Sequence, residues 1–455
     1  MRFRPQHDRP ASAARTLALA CLALAWLASP QPLQASCVDS PSGTATKAID
    51  PNLSRNAAQR LVAGALSRSA AVGAARMTAD AALHDTDEAR AARRLQVSAS
   101  AGFGPAAVRA DGSTSSTLAQ ARAGLSLSQL IADGGRTDRV VDWRDRLAEA
   151  ARLGWIGSQE QVALNTVSLA LERSRYLQQA EVYAQYVGQM DCLVGSLRQV
   201  VDADRGRLSE LVQARKSMSQ AELSQEQAAS QGRQAEGKLR RMAGDALPDA
   251  DALLGLLLQV PDLGPLQVEV LRSTEIAQLD AQAEAARQLA RSVEASLKPQ
   301  FSWNVSANTN AAAGGNAGSN RGANLSGGLS VSIPLLSPGV GAAADAARKR
   351  ADAAQLARDE LLEQRLSRLS DLHEQARAAM DRARRVHAVL DDSNRVRDFT
   401  LQQWQQLGRR SLFDVMAAEA EHYNLRIAEV NARHDGQQMN ALLLSLGRGL
   451  RDWLN

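Results

Sequence analysis

Four stretches of the chain alternate apolar and small polar residues with the two-residue period of a half-buried strand. Val97, Ala99, Ala101 and Phe103 alternate with Gln96, Ser98 and Ser100, and Ala121, Ala123, Leu125 and Leu127 with Arg122, Gly124, Ser126 and Ser128. Far along the chain, Phe301, Trp303 and Val305 alternate with Ser302, Asn304 and Ser306. Leu325, Leu329, Val331 and Ile333 then share a stretch with Ser326, Ser330 and Ser332. Loops rich in small and polar residues, 105–116 and 309–322, join the members of each pair. The pattern predicts two long-looped hairpins, over about 95–130 and 299–336.

The rest of the chain carries helical spacing. Val162, Leu169, Tyr176, Tyr183, Met190 and Leu197 recur every seven residues. A fuller stripe runs through Leu362, Leu366, Leu369, His373, Ala376, Met380, Ala383, His387 and Leu390 in steps of four and three. That spacing is a coiled-coil seam, and its length exceeds that of ordinary globular helices. Further Ala-rich helical segments are predicted before each hairpin, at about 54–94 and 265–297.

The two sets are copies. "GLSLSQLIADGGR" (Gly124–Arg136) is matched 204 positions later by "GLSVSIPLLSPGV" (Gly328–Val340), with Pro338 opposite Gly134. At the same offset "QVSASAGF" faces "QFSWNVSA", and Leu208–Val212 faces Leu412–Met416. Three islands at one offset mark an internal duplication. The expected division is an export signal at 1–35, a first repeat at 36–247, a connector at 248–265 and a second repeat at 266–455. Helix tips are expected near 204–212 and 408–416.

A lone hairpin is marginal in water, so each pair needs partners. Strands of about ten residues, apolar on one face and small and polar on the other, suit a transmembrane β-barrel. In hydrocarbon every backbone group must be paired, and four strands are too few to close a barrel that admits water. The pattern therefore requires several chains in one barrel. Phe103, Phe301 and Trp303 are the aromatics placed to mark membrane interfaces.

Composition narrows the class. Aromatics are 3% of residues, which disfavours several compact cores and suits long helices packed side by side. The formal charge of +4 leans on the N-terminus, where Arg2, Arg4, Arg9 and Arg15 stand against Asp8. The remainder is close to neutral and offers no case for nucleic-acid binding. The basic start, the apolar run 16–28 and Leu33-Gln34-Ala35 before Ser36 read as an export signal. The run is too short to span a membrane, and no later stretch reaches about 18 apolar residues.

Cys21 falls in that signal. Cys37 is open to lipidation or to pairing with Cys192, although Gln34 stands where a lipoprotein signal places an aliphatic residue. His373 and His387 lie too far apart on one helix to share an ion and read as packed residues. No nucleophilic triad, CxxC or phosphate loop appears. The reading is of a non-enzyme with no cofactor and no metal site.

With these residues in hand, the chain resembles the TolC-like outer-membrane channels of tripartite efflux and type I secretion systems. "LSQLIADGGRTDRV" resembles that family's strand-to-helix exit, with Asp133, Gly134 and Gly135 at the turn. "LGRRSLFDVMAAEAEHYN" resembles its second helix tip, "DRGRLSELVQAR" occupies the first, and "NALLLSLGRGL" resembles its ending. The resemblance implies a homotrimer, mainly α-helical. Its long coiled-coil helices would form an α-helical barrel across the periplasm, joined to a twelve-stranded transmembrane β-barrel with four strands per protomer.

It also implies outer-membrane lipid around the barrel, a periplasmic adaptor at the tips, and an inner-membrane ABC or proton-driven pump as the energy source. Arg410 matches the family's gating Arg, Glu210 an acidic partner, and Asp414 an acid lining the constriction. Arg207, Leu208, Ser209, Gly408, Ser411 and Leu412 fall at the tips that would meet the adaptor. Gln405, Ala417 and Asp204 depart from the family's Tyr, Asp and Gly. Two alternatives stand beside the exit duct: a trimeric adhesin, which would gather its strands at the C-terminus, and a soluble periplasmic coiled-coil scaffold.

Overall fold

The computed structural model describes residues 50–108, 116–313, 320–335, 337–407 and 410–455. The export signal, Cys37, Gly408 and the segments 109–115 and 314–319 lie outside them. Cys192 is disulfide-bonded.

Helix α1 (Pro51–Arg68) opens with a proline at its first turn, where a missing N–H costs nothing. Ser69 is extended, ends α1, and accepts a hydrogen bond from the Val72 amide to start α2 (Ala70–Ala91). The one helix expected over 54–94 is thus two, split by a capping serine. Strands β1 (Gln96–Val108) and β2 (Ser116–Ala132) follow. Helix α3 (Arg136–Ala203) and helix α4 (Leu208–Ala243) come next, separated by a single 3-10 turn, Arg205–Arg207.

The second half repeats the plan. Helices α5 (Leu263–Leu271) and α6 (Thr274–Ala295) divide at Ser273, again extended and 204 positions after Ser69. Strands β3 (Gln300–Ala313) and β4 (Asn320–Ser332) precede α7 (Pro338–Leu407), α8 (Leu412–Leu446) and a short α9 (Leu450–Leu454). The starts of β1 and β3, the starts of β2 and β4, the ends of α3 and α7, and the starts of α4 and α8 all differ by 204 positions. The duplication read from the sequence is a duplication of elements.

The four strands form one antiparallel sheet in the order β1-β2-β3-β4. Two expectations change here. The hairpins do not stay separate within the chain: β2 pairs with β3 from Ala119↔Ala313 to Ala132↔Phe301. The strands also run to 13–17 residues rather than about ten. The physical reason is shared register. Both hairpins carry the same alternation, so joining them keeps the large apolar residues of their central stretches on one face.

The chain leaves β2 through a bulge between Leu130 and Ala132 and a turn built on Asp133. Asp133 is buried, and its carboxylate accepts hydrogen bonds from the Gly135 amide (3.2 Å) and the Thr137 amide (2.7 Å). The Thr137 hydroxyl also donates to it, and Arg93 lies 3.7 Å away. Burial alone would raise the Asp133 carboxyl, but these donors and the guanidinium outweigh it and hold the pKa below its ordinary value. Gly134 and Gly135 take positive φ, +64° and +87°. At Gly134 a side chain would also run into Lys298, whose ammonium donates to the Gly134 carbonyl (3.1 Å). The second copy solves the same exit differently: Pro338 opens α7, and its neighbour Gly339 is helical with open space around it.

The described residues divide into two compact units, one of Val187–Ser219 and one of Asp50–Tyr186 with Gln220–Asn455. In the larger, α6 and α5 pack on α7, and α7 packs on α8. Arg173 on α3 meets Glu236 on α4 at 3.1 Å. A core of Leu61, Val62, Val167, Leu171, Leu239, Ala441 and Leu450 takes in Leu253, Leu256 and Leu257 of the expected connector. That apolar segment is held by two amides of α8. Gln437 donates to the Leu254 (3.1 Å) and Leu256 (2.7 Å) carbonyls, and Asn440 donates to that of Leu257 (2.7 Å). These bonds satisfy buried carbonyls in an irregular stretch that has no ladder of its own.

The α7 seam departs from the expected stripe at its histidines. Between Leu362 and Leu390 the buried residues are Leu369, Leu372, Ala376 and Ala379, with Leu362 and Leu366 packed beside them and Met380 half-buried against Gly436 of α8. His387, expected as a packed residue, is exposed with its Nδ1 3.0 Å from Glu429. Leu372 rather than His373 takes the buried line because burying an imidazole without a partner costs more.

Two outcomes follow from this packing. His434 on α8 is buried with Nδ1 against the Val430 carbonyl, and burial, aided by Arg433 and Arg175, pulls its pKa down to about 4. A histidine depressed in the fold stabilises above its unfolded pKa and loses that contribution as pH falls. Acidification from 6.5 to 4 is therefore expected to cost about 3 kcal/mol through this one group, and His434→Gln should flatten that part of the unfolding-versus-pH curve. At the β2 exit, Gly134→Ala is expected to cost on the order of 1–3 kcal/mol, read as a lower thermal midpoint. Gly339→Ala at the second exit should leave the midpoint unchanged or raise it slightly.

Candidate functional site

The sheet's register sorts its side chains into two faces. One face carries Val97, Ala99, Ala101 and Phe103, in line with Leu127, Leu125, Ala123 and Ala121 across β2. It continues through Val305 and Ala307 to Leu325, with Trp303 opposite Leu329 and Phe301 opposite Val331. Phe103 is 82% exposed, Leu325 76% and Leu329 62%, so this apolar face has no cover among the described residues. A continuous exposed surface of that kind marks a contact with lipid or protein. Among the described residues no helix is long and apolar enough to cross a membrane.

The opposite face is built of serine and asparagine. Ser98 pairs with Ser126 and Ser302 with Ser330, both at 2.6 Å, and Ser306 with Ser326 at 2.8 Å. Asn304 donates to Ser330 at 2.9 Å. These cross-strand bonds tie small hydroxyls to one another and keep the face shallow and wettable.

The expected interface aromatics fall at two levels. Phe301 and Trp303 lie at the start of β3, near the helices. Phe103 shares a row with Ala121, Ala311 and Arg321 towards the far ends of the strands. Phe301 and Ala311 are ten residues apart, about 34 Å along a strand or about 26 Å at a tilt near 40°. That height matches the apolar band of a membrane barrel, with an arginine at its outer edge where long cationic side chains reach headgroups. The sheet's two outer strands, β1 and β4, each keep one unpaired edge.

The helix tips hold the other expected residues, and each tip makes its own local contacts. At the first, the Asp204 carboxylate accepts from the Gly206 amide (2.9 Å), and Arg207 lies 3.3 Å from Glu210. Leu208 is exposed, and Ser209 is solvent-facing beside it. At the second, Ser411 and Asp414 form a reciprocal capping box. The Ser411 amide donates to the Asp414 carboxylate (3.2 Å), and the Asp414 amide donates to the Ser411 hydroxyl (3.3 Å). Arg410 donates to the Gln403 side-chain carbonyl (3.2 Å) and stands 4.0 Å from Asp414, both ends exposed. Leu412 is fully buried beneath the cap, whereas its neighbour Phe413 is half exposed.

The cap was missed in the sequence, although Ser-x-x-Asp at a helix start is its signature. Glu210 and Asp414 stand 204 positions apart, the third residue of α4 and of α8. An acid there is also favoured by the helix dipole, so Asp414 has a structural task beside any role in a pore. Among the described residues no cluster of His, Cys, Asp and Glu suits a metal ion.

No protein-family model matches the chain, and no curated protein matches it in sequence. Solved structures do match. The chain is similar to the transmembrane-channel protein CusC at 16% identity, covering 87% of this chain and 92% of that one with a TM-score of 0.74. It is similar to the outer membrane protein VceC of Vibrio cholerae at 18% identity, over 88% and 99% of the two chains with a TM-score of 0.73. To the outer-membrane channel OprN the identity is 19%, over 88% and 91% with a TM-score of 0.74. Sheet, long helices and near-complete coverage agree: this chain has the fold of the TolC-like outer-membrane channels.

Proposed function

We propose that this chain is one protomer of a passive outer-membrane exit duct serving a tripartite efflux or type I secretion system. The observation that carries the reading is the two-faced sheet with two open edges. In hydrocarbon those edges must be paired, and β4 of one copy meets β1 of the next with the antiparallel sense the sheet already has. Three copies give twelve strands, apolar outside and lined by serine and asparagine within. The helices then continue the passage through the periplasm. The structural relatives described as outer-membrane channels support the same reading.

In this reading Glu210, Arg410 and Asp414 contribute to the closed tip. Arg207 and the exposed Leu208, Ser209 and Ser411, with Gly408, receive a periplasmic adaptor, and Leu412 seats the second tip. Energy comes from an inner-membrane ABC or proton-driven pump. Fractionated cells should hold the protein in the outer membrane as a heat-modifiable trimer; a wholly soluble protein would sink the proposal. In planar bilayers Arg410→Ala should raise single-channel conductance. Unchanged conductance would remove Arg410 from the gate while leaving the duct intact.

A further inference from the structure

The four strands contain no Asp or Glu and two charged residues, Arg122 and Arg321. Register separates them. Arg321 lies opposite Ala311 on the apolar face, whereas Arg122 lies between Gly102 of β1 and Asn310 of β3 on the serine and asparagine face. Its guanidinium donates to Gln120 two residues away (2.6 Å), a neutral partner. Ser100 and Asn308 flank Gly124 one step further along the same face. Gly102 and Gly104 add no side chain beside the arginine, so it stands clear of the wall and is exposed.

We propose that Arg122 is a specificity-determining residue of the barrel, drawing anionic cargo and anions into its lumen. The inference rests on the pore reading above. Closure of three copies makes a ring of three guanidiniums with no carboxylate on any strand to neutralise them. A ring of like charge in a water-filled passage favours ions of the opposite sign, and the effect extends about one Debye length, about 10 Å at 0.1 M salt. Cargo carrying carboxylate, phosphate or sulfonate groups would be favoured at this level and polycations disfavoured.

Reversal potentials of the purified full-length trimer in a potassium chloride gradient test this. The series is wild type, Arg122→Lys, Arg122→Gln and Arg122→Glu, each also carrying Asp414→Asn so that a tip carboxylate does not mask the barrel. The chloride-to-potassium permeability ratio should fall about twofold for Arg122→Gln at 0.1 M salt, and further for Arg122→Glu and at 0.01 M. Arg122→Lys should keep the wild-type ratio, which separates charge from folding. A ratio unchanged by Arg122→Glu in both backgrounds would overturn the inference and leave the duct standing. A wild-type protein that forms no channel would overturn the duct and this inference together.

Discussion

A backbone N–H or C=O left unpaired in hydrocarbon costs several kcal/mol, and the proposed exit duct depends on that constraint. Four strands pair in one sheet and still leave the outward edges of β1 and β4 open. In water such edges are a liability to be blunted; here the edge strands are long and carry Phe103, Leu325 and Leu329 on the exposed face. Apart from Pro105 in β1 and Arg321 in β4, these strands lack the charges and short lengths that discourage edge pairing. The sheet is shaped for continuation by further strands.

Duplication explains how a single chain arrives at an even set of strands whose faces agree. Copying a hairpin by 204 residues copies its alternation, so β2 and β3 meet without a change of face. The copies then diverged where local chemistry allowed. One strand-to-helix exit uses Asp133 with two left-handed glycines, held by Arg93 and Lys298; the other starts its helix directly on Pro338. The tips diverged as well, from an Arg207–Glu210 pair to a Ser411–Asp414 capping box. Equal positions thus keep an acid near a helix start while its partner changes, which fits the dipole's preference more than any one contact.

Patterning alone made the strands, their faces, the long helices and the repeat legible, because periods of two and three and a half are set by backbone geometry. The Asp-Gly-Gly turn was legible for a related reason, since positive φ needs glycine. Less was visible where neighbours far along the chain decide. The seam of α7 takes Leu372 rather than His373 onto its buried line. Leu253, Leu256 and Leu257 of the expected connector join the core, fixed by Gln437 and Asn440 almost two hundred residues later. The resemblance named Glu210, Arg410 and Arg207 at the tips, but not the contacts Arg207–Glu210 and Arg410–Gln403.

By itself, then, the sequence determined which strand residues share the apolar face and which the polar one, since alternation fixes side-chain direction once a strand forms. It determined that four strands are too few to close a barrel that admits water. Only the tertiary structure decided that both hairpins share one sheet, that Arg122 and Arg321 stand at matching heights, and which partners each polar group takes. Those outcomes depend on register and on contacts between distant segments, and no local period encodes either.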